Sequence, residues 1–309
     1  MVDGLIVIDK PSGPSSHDVV ARMRRVLGER RVGHTGTLDP MATGVLPLVV
    51  GRATRLARFM NAGGKSYEAV VRLGVSTDTA DAQGEPVGAA FSGALPSRDT
   101  IDRALDAFRG TFLQQPPAFS AKKIGGERSY KLARATHGRG RLPEATQVTA
   151  FQLNLVGFEG DLVTLALECS SGFYVRSLAH DLGQALGTGA HLAALRRTRS
   201  GNATLAGAIP LEAAEADRAR ARAAVLPLPA MLLELRAVAL TPEGVRHALQ
   251  GRDLGPRDLG LGIWDSEDKS RIPNPESLYV RMLDSAGALV GIAEPSKTPG
   301  LLHPSVVLM

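Results

Sequence analysis

Apolar and polar positions along the chain alternate in patterns that separate strands, helices and loops. Gly4 to Ile8 is a short continuous apolar run and reads as a buried strand, while Ser16 is placed to cap a helix running through Val26 with Gly28 as its stop. Gly33, Gly36 and Gly44 break any period, so the stretch between them is a loop. It is followed by a strand-like run over Val45 to Val50 and an arginine-rich segment to Met60 that reads as helical. Alternation of Tyr67, Ala69, Val71 and Leu73 predicts a strand over Lys65 to Leu73. Ser97 to Phe108 has a capping serine, Ile101, Leu105 and Phe108 at helical spacing, and Gly110 beyond its end. A second helix is expected over Glu127 to Ala135. Gln147 to Val156 and Leu162 to Cys169 read as consecutive strands joined near Gly157 and Gly160, and Tyr174 to Leu186 as a helix closing at Gly187.

Hairpins interleaved with helices predict an α+β fold, with a largely antiparallel mixed sheet flanked by helices. Around Leu211 to Ala230 the chain turns rich in Ala, Arg and Pro, which reads as a helix and a linker outside the core, so a domain boundary is expected near residue 235. Beyond it stand one short helix, Thr241 to Leu249, and strand-like pieces at Leu278 to Leu283 and Ala288 to Ile292. A small β-rich C-terminal domain over 236–309 fits that pattern.

Composition narrows the setting. A hydrophobic content of 44% with 22% charged residues is that of a folded chain, and a net charge of +5 with a pI near 9.6 favours a polyanionic partner. Between residues 119 and 141, Lys122, Lys123, Arg128, Lys131, Arg134, Arg139 and Arg141 face the single acid Glu127. That cluster can neutralise several phosphates, or simply form a solvated face. Cys169 is the only cysteine, so neither a disulfide nor a cysteine-based zinc site can form within the chain. No apolar run reaches membrane-spanning length, and the cytoplasm is the expected compartment.

The densest chemistry lies in Gly33-His34-Thr35-Gly36-Thr37-Leu38-Asp39-Pro40-Met41-Ala42-Thr43-Gly44, where glycines permit tight turns around one imidazole and one carboxylate. Such a backbone can present Asp39 to a ligand, although Asp-Pro also starts ordinary turns. Gly63-Gly64-Lys65-Ser66 imitates the end of a phosphate-binding loop, but Phe59 stands where that motif needs glycine. Tyr67 and Tyr174 can be core residues or stacking platforms. Arg176, two residues past Tyr174, can hold a carboxylate in bidentate geometry or make a surface ion pair.

Taken together, Gly33 to Leu48 (GHTGTLDPMATGVLPL) resembles the catalytic signature of the TruB family of tRNA pseudouridine-55 synthases. Lys10-Pro11-Ser12-Gly13, Lys65-Ser66-Tyr67-Glu68 and Ser171 to Leu178 (SGFYVRSL) follow in the family's order. Pro116 to Lys123 (PPAFSAKK) is similar to the bacterial, stand-alone branch. Ser15, Phe173 and Val175 depart mildly from the family's usual threonine, threonine and isoleucine. The resemblance implies a pseudouridine synthase fold over 1–235, a PUA-like RNA-binding domain at 236–309 and an insertion near 262–277, and the glycines flanking positive charge in 122–147 suggest a basic RNA clamp there. It implies Asp39 as nucleophile, Tyr67 packing on the flipped uracil and aiding proton transfer, and Arg176 pairing with Asp39. His34, Tyr174 and Leu195 would line the RNA pocket, with Lys10, Thr37, Lys122, Lys123, Arg139 and Arg141 as further substrate contacts. The expected partner is the tRNA T-arm, engaged by a monomer with no cofactor, metal, membrane or guide RNA. An accessory tRNA-folding role, a non-catalytic tRNA binder and a guide-dependent synthase are the competing readings.

Overall fold

The computed structural model describes residues 2–60, 63–120, 122–129, 142–260 and 279–309. Strand β1 (Gly4–Lys10) leads into helix α1 (Ser16–Leu27), then β2 (Val32–His34) and β3 (Thr43–Val50). The cap of α1 is Ser15, which shares a reciprocal capping box with Asp18, so the expectation of Ser16 as cap is corrected by one residue. Gly28 ends the helix in the left-handed conformation, φ 67°.

Strand β4 (Lys65–Leu73) buries Tyr67, Ala69, Val71 and Leu73 as their alternation requires. Helix α2 (Arg98–Leu105), capped by Ser97, buries Ile101 and Leu105 and continues as a 3₁₀ turn to Phe108. After it come β5 (Gly110–Gln114), the hairpin β6 (Thr146–Glu159) and β7 (Leu162–Cys169), helix α3 (Val175–Ala185) and β8 (Ala190–Ser200). The sheet runs Ile209–Pro210, β1, β3, β8, β4, β7, β6, β5. It is antiparallel except where Ile209–Pro210 meets β1 and β8 meets β3. One face packs against α1, α2 and α3 to form the main core, which includes Cys169, whose thiol burial pushes up to about 12.

Two other expectations change. Helices α4 (Leu211–Ala216) and α5 (Arg218–Ala223) belong to the core rather than a linker, because Leu211, Ala214 and Ala221 are fully buried against the main cluster. Small alanines let these helices approach α1 closely. At Glu127 the chain forms not a helix but a hairpin pairing Lys123–Ile124 with Glu127–Arg128 around Gly125 and Gly126, both at positive φ. The rest of that expected helix, most of the basic segment and the 262–277 insertion lie outside the described residues.

The C-terminal unit is a four-stranded sheet of β9 (Ala237–Ala239), β10 (Val280–Leu283), β11 (Leu289–Pro295) and β12 (Leu302–Val307), with helix α6 (Pro242–Leu249) capped by Thr241. It buries Leu289, Ile292 and Leu308 against Leu5, Val49, Ala53 and Leu56. That explains why β3 is apolar without alternation: it is covered on both faces. The arginine-rich segment is a 3₁₀ turn, Gly51–Leu56, followed by a short helix, Ala57–Met60. Spacing of three aims Arg52, Arg55 and Arg58 the same way, onto Leu308 O (3.2 Å), Val307 O (2.6 Å) and Ser305 O (3.4 Å). Among the described residues no helix is long and apolar enough to cross a membrane.

Where β3 and β8 run parallel, Gly44 has φ 99° and a Cβ there would lie 2.2 Å from Arg197 O. Gly44→Ala should therefore lower unfolding free energy by about 2–4 kcal/mol, combining backbone strain with a forced separation of the strands. Urea unfolding at unchanged slope checks this, and a parental midpoint would contradict it.

Candidate active site

Asp39 sits in the loop between β2 and β3, and both of its neighbours are tied from outside that loop. The Leu38 N–H donates to Ser16 Oγ (2.8 Å), and the same hydroxyl donates to Leu38 O (3.0 Å). Pro40 O accepts from the Gly13 N–H (2.8 Å) and from Lys10 Nζ (3.1 Å). The Lys-Pro-Ser-Gly stretch and the first residue of α1 thus hold the turn that presents Asp39. Lys10 is fully buried, its ammonium also donating to Pro11 O at 2.8 Å. It supports the loop from beneath, with its ammonium directed to the Pro11 and Pro40 carbonyls.

A second buried cation, Arg197, holds the loop to the sheet. It is 0% exposed and donates from Nε to Val45 O (2.7 Å), from Nη2 to Gly36 O (3.1 Å) and from Nη1 to Thr37 O (3.4 Å). Its guanidinium also hydrogen-bonds the Tyr67 hydroxyl. Gly36, at φ 127°, lets the backbone pass close to Arg197 and Lys65.

Above the loop opens a cavity of about 270 Å³ walled by Thr37, Asp39, Lys65, Tyr67, Tyr174, Leu195 and Arg176, among others. Arg176, in the first turn of α3 and 6% exposed, meets the Asp39 carboxylate with a hydrogen bond, Nη2 to Oδ1 at 3.2 Å, and an ion-pair contact, Nε to Oδ2 at 2.9 Å. Its remaining capacity goes to Phe119 O (2.8 Å) and Thr79 O (3.2 Å), and Asp81 Oδ2 lies 3.7 Å from Nε. The turn carrying Thr79 and Asp81 contains Ala80 at φ 59°, a conformation alanine seldom adopts.

Electrostatics in the cavity follow from burial. Desolvation pushes the Tyr67 phenol above its ordinary range, against the pull of Arg197, so it is a neutral hydroxyl at physiological pH. Burial likewise raises the Tyr174 phenol and lowers the Lys65 ammonium, whose Nζ lies 3.3 Å from Ser171 Oγ. Desolvation brings Lys10 down to about 8, even though the Asp39 carboxylate favours its charge.

The sequence expectations therefore converge on one place for Asp39, Tyr67, Arg176, Tyr174, Leu195 and Thr37. His34 stands off the cavity walls, packed edge-to-face on His17 with ring centroids 5.3 Å apart, and burial lowers its pKa. Lys122 is half-buried at the foot of the short hairpin, and Lys123 enters that hairpin through its backbone. Arg139 and Arg141 lie outside the described residues. Lys65, Asp81 and Arg197 were not named as site residues from sequence, although Lys65 stands in two of the motifs read there. Arg197 had a signal, since it shares strand parity with buried Leu195, whereas Asp81 lies in a polar turn without periodicity.

The buried Lys10 has a measurable consequence. Between pH 8 and 10.5 the unfolded chain holds a proton on Lys10 that the folded chain has released, so stability gains from this group as pH rises through that window. Unfolding free energy of the parent should climb relative to Lys10→Met across that range. A flat difference would contradict a desolvated ammonium.

Comparison with known proteins identifies the family. The model of the TruB family pseudouridylate synthase N-terminal domain matches residues 24–175, and that of the tRNA pseudouridylate synthase B C-terminal domain matches 176–235. The chain is 44% identical over 309 residues to tRNA pseudouridine synthase B of Solibacter usitatus (strain Ellin6076), covering 99% of this chain and 100% of the relative. It is 41% identical over 281 residues to the protein of the same name from Azoarcus sp. (strain BH72), covering 86% and 92%. A solved H/ACA RNP bound to a substrate RNA containing 2′-deoxyuridine superposes with TM-score 0.68 at 25% identity, over 99% of this chain and 85% of that one. The chain belongs to the TruB family of pseudouridylate synthases, isomerases that convert uridine to pseudouridine in tRNA.

Proposed function

We propose that this chain isomerises uridine 55 in the T-arm loop of tRNA to pseudouridine, acting on naked tRNA as a stand-alone monomeric enzyme in the cytoplasm. The observation that carries the reading is the Asp39 carboxylate, paired with Arg176 through contacts of 2.9 and 3.2 Å in a concave cavity walled by Tyr67, Tyr174 and Leu195. A module that merely bound a polyanion would gain nothing from a carboxylate placed there. The stand-alone assignment is supported by relatives named tRNA pseudouridine synthase B that align over 99% and 86% of this chain.

The target base must leave its stack before a carboxylate can approach its glycosidic bond, at a cost of a few kcal/mol. Aromatic contact with Tyr67 or Tyr174 and phosphate contacts from the basic segment offset that cost. Asp39 then assists cleavage of the bond from ribose C1′ to N1. The uracil turns within the cavity and rebonds through C5, whose hydrogen leaves to solvent while N1 gains one. Atoms and electrons balance without an external oxidant, reductant or donor. Tyr67, neutral and hydrogen-bonded to Arg197, is positioned for the proton transfer. Residues 1–235 serve as the catalytic domain, and 236–309 as a PUA-like appendage extending the RNA-binding surface.

Tritium release from uracil C5 of an unmodified transcript tests this directly. The parent should release tritium with no added RNA or protein, Asp39→Asn should fall to background while still binding the RNA, and Tyr67→Phe should lose about 10²-fold or more in rate. Release by a binding-competent Asp39→Asn would remove Asp39 from the chemistry. A parent that binds and refolds tRNA without release would support the chaperone reading.

A further inference from the structure

Gln114, the last residue of edge strand β5, is 1% exposed, and both ends of its amide meet one residue. The Tyr174 N–H donates to Gln114 Oε1 (2.8 Å), and Gln114 Nε2 donates to Tyr174 O (3.0 Å). Reversing the amide would set donor against donor and acceptor against acceptor, so this pairing fixes its orientation. Tyr174 is extended at φ −109° and ψ 107°, and no side chain caps α3. The amide therefore acts as a one-residue strand neighbour for the residue that carries one aromatic wall of the cavity and leads, two positions on, to Arg176.

The chain leaving Gln114 is stitched to the same turn. Ser177 Oγ donates to Gln115 O (2.7 Å), and Arg176 Nη2 donates to Phe119 O (2.8 Å). Residues 114–119 and 174–177 are thereby bound as one unit, and the first of these segments runs directly into the basic insertion.

We propose that Gln114 is a positioning residue for the isomerisation, holding the turn into α3 so that Tyr174 and Arg176 face Asp39 and coupling that turn to the root of the basic insertion. The inference rests on the pseudouridine synthase reading above. Losing the amide leaves the Tyr174 N–H without its partner and its carbonyl with the Leu178 N–H alone (3.2 Å), and frees the turn to shift. A displacement near 1 Å is enough to break the 3.2 Å hydrogen bond and stretch the 2.9 Å ion-pair contact between Arg176 and Asp39.

The test compares Gln114→Ala, Gln114→Met and Gln114→Glu with the parent, using the full chain and a tRNA transcript. Single-turnover tritium release and RNA affinity are measured below the thermal transition of every variant. Ala and Met should slow the reaction by roughly 10- to 100-fold with little change in affinity. The Glu variant supplies the discriminating readout. Its carboxylate can accept from the Tyr174 N–H but has no hydrogen for the Tyr174 carbonyl, whereas its protonated form can do both, and burial favours protonation. The Glu rate relative to the parent should therefore climb as pH falls from about 8.5 to about 6, while the Ala and Met ratios stay flat. Parental rates in the Ala variant, a flat Glu ratio, or losses that merely track RNA affinity would each overturn the assignment. A parent that releases no tritium would instead overturn the functional reading, and this inference with it.

Discussion

A single fully desolvated guanidinium, that of Arg197, joins the Asp39 loop to the sheet. It satisfies three carbonyls, from Gly36, Thr37 and Val45, belonging to segments on either side of Asp39. Each of those carbonyls would otherwise be a buried polar group short of partners, and the guanidinium would be a buried charge without donors' targets. The close parallel approach of β3 and β8, possible only with glycine at position 44, sets the distance across which Arg197 reaches.

Around that joint the site separates support from chemistry. Lys10, Ser16 and Gly13 hold the residues flanking Asp39 and leave its carboxylate free to meet Arg176. Arg176 is itself held by carbonyls from two distant segments, Thr79 and Phe119. Asp39 is thus aimed through a chain of bonds rather than by its own loop alone, as preorganised catalysis requires. Three buried cations beneath and beside the cavity, Lys10, Lys65 and Arg197, also give the pocket a positive setting suited to a nucleotide.

The C-terminal unit depends on the same sheet from its other side. Leu308, Ile292 and Leu289 cover β1 and β3, and Arg52, Arg55 and Arg58 cap the carbonyls of the last strand. Burying β3 on both faces stiffens the strand that follows the Asp39 loop. The appendage therefore bears on the site mechanically, whatever its own contacts with RNA.

Local pattern determined much of this protein. Alternation over Lys65 to Leu73, the serine-capped helix after Ser97 and the hairpin of β6 and β7 are set by contacts between near neighbours, and those contacts are written in order along the chain. The Gly-His-Thr-Gly-Thr-Leu-Asp-Pro run marked Asp39 as a candidate, while Tyr67 and Arg176 were singled out as site residues only by the family resemblance. What only the tertiary structure decided are roles settled by partners far away in sequence. Lys10 became a prop because Pro40 lies above it, Gln114 was matched to Tyr174 across 60 positions, and Leu211 to Ala223 became core because α1 offers a face to cover. A side chain's type sets which bonds it can make; whether it spends them on backbone or leaves them for substrate depends on what folding brings alongside.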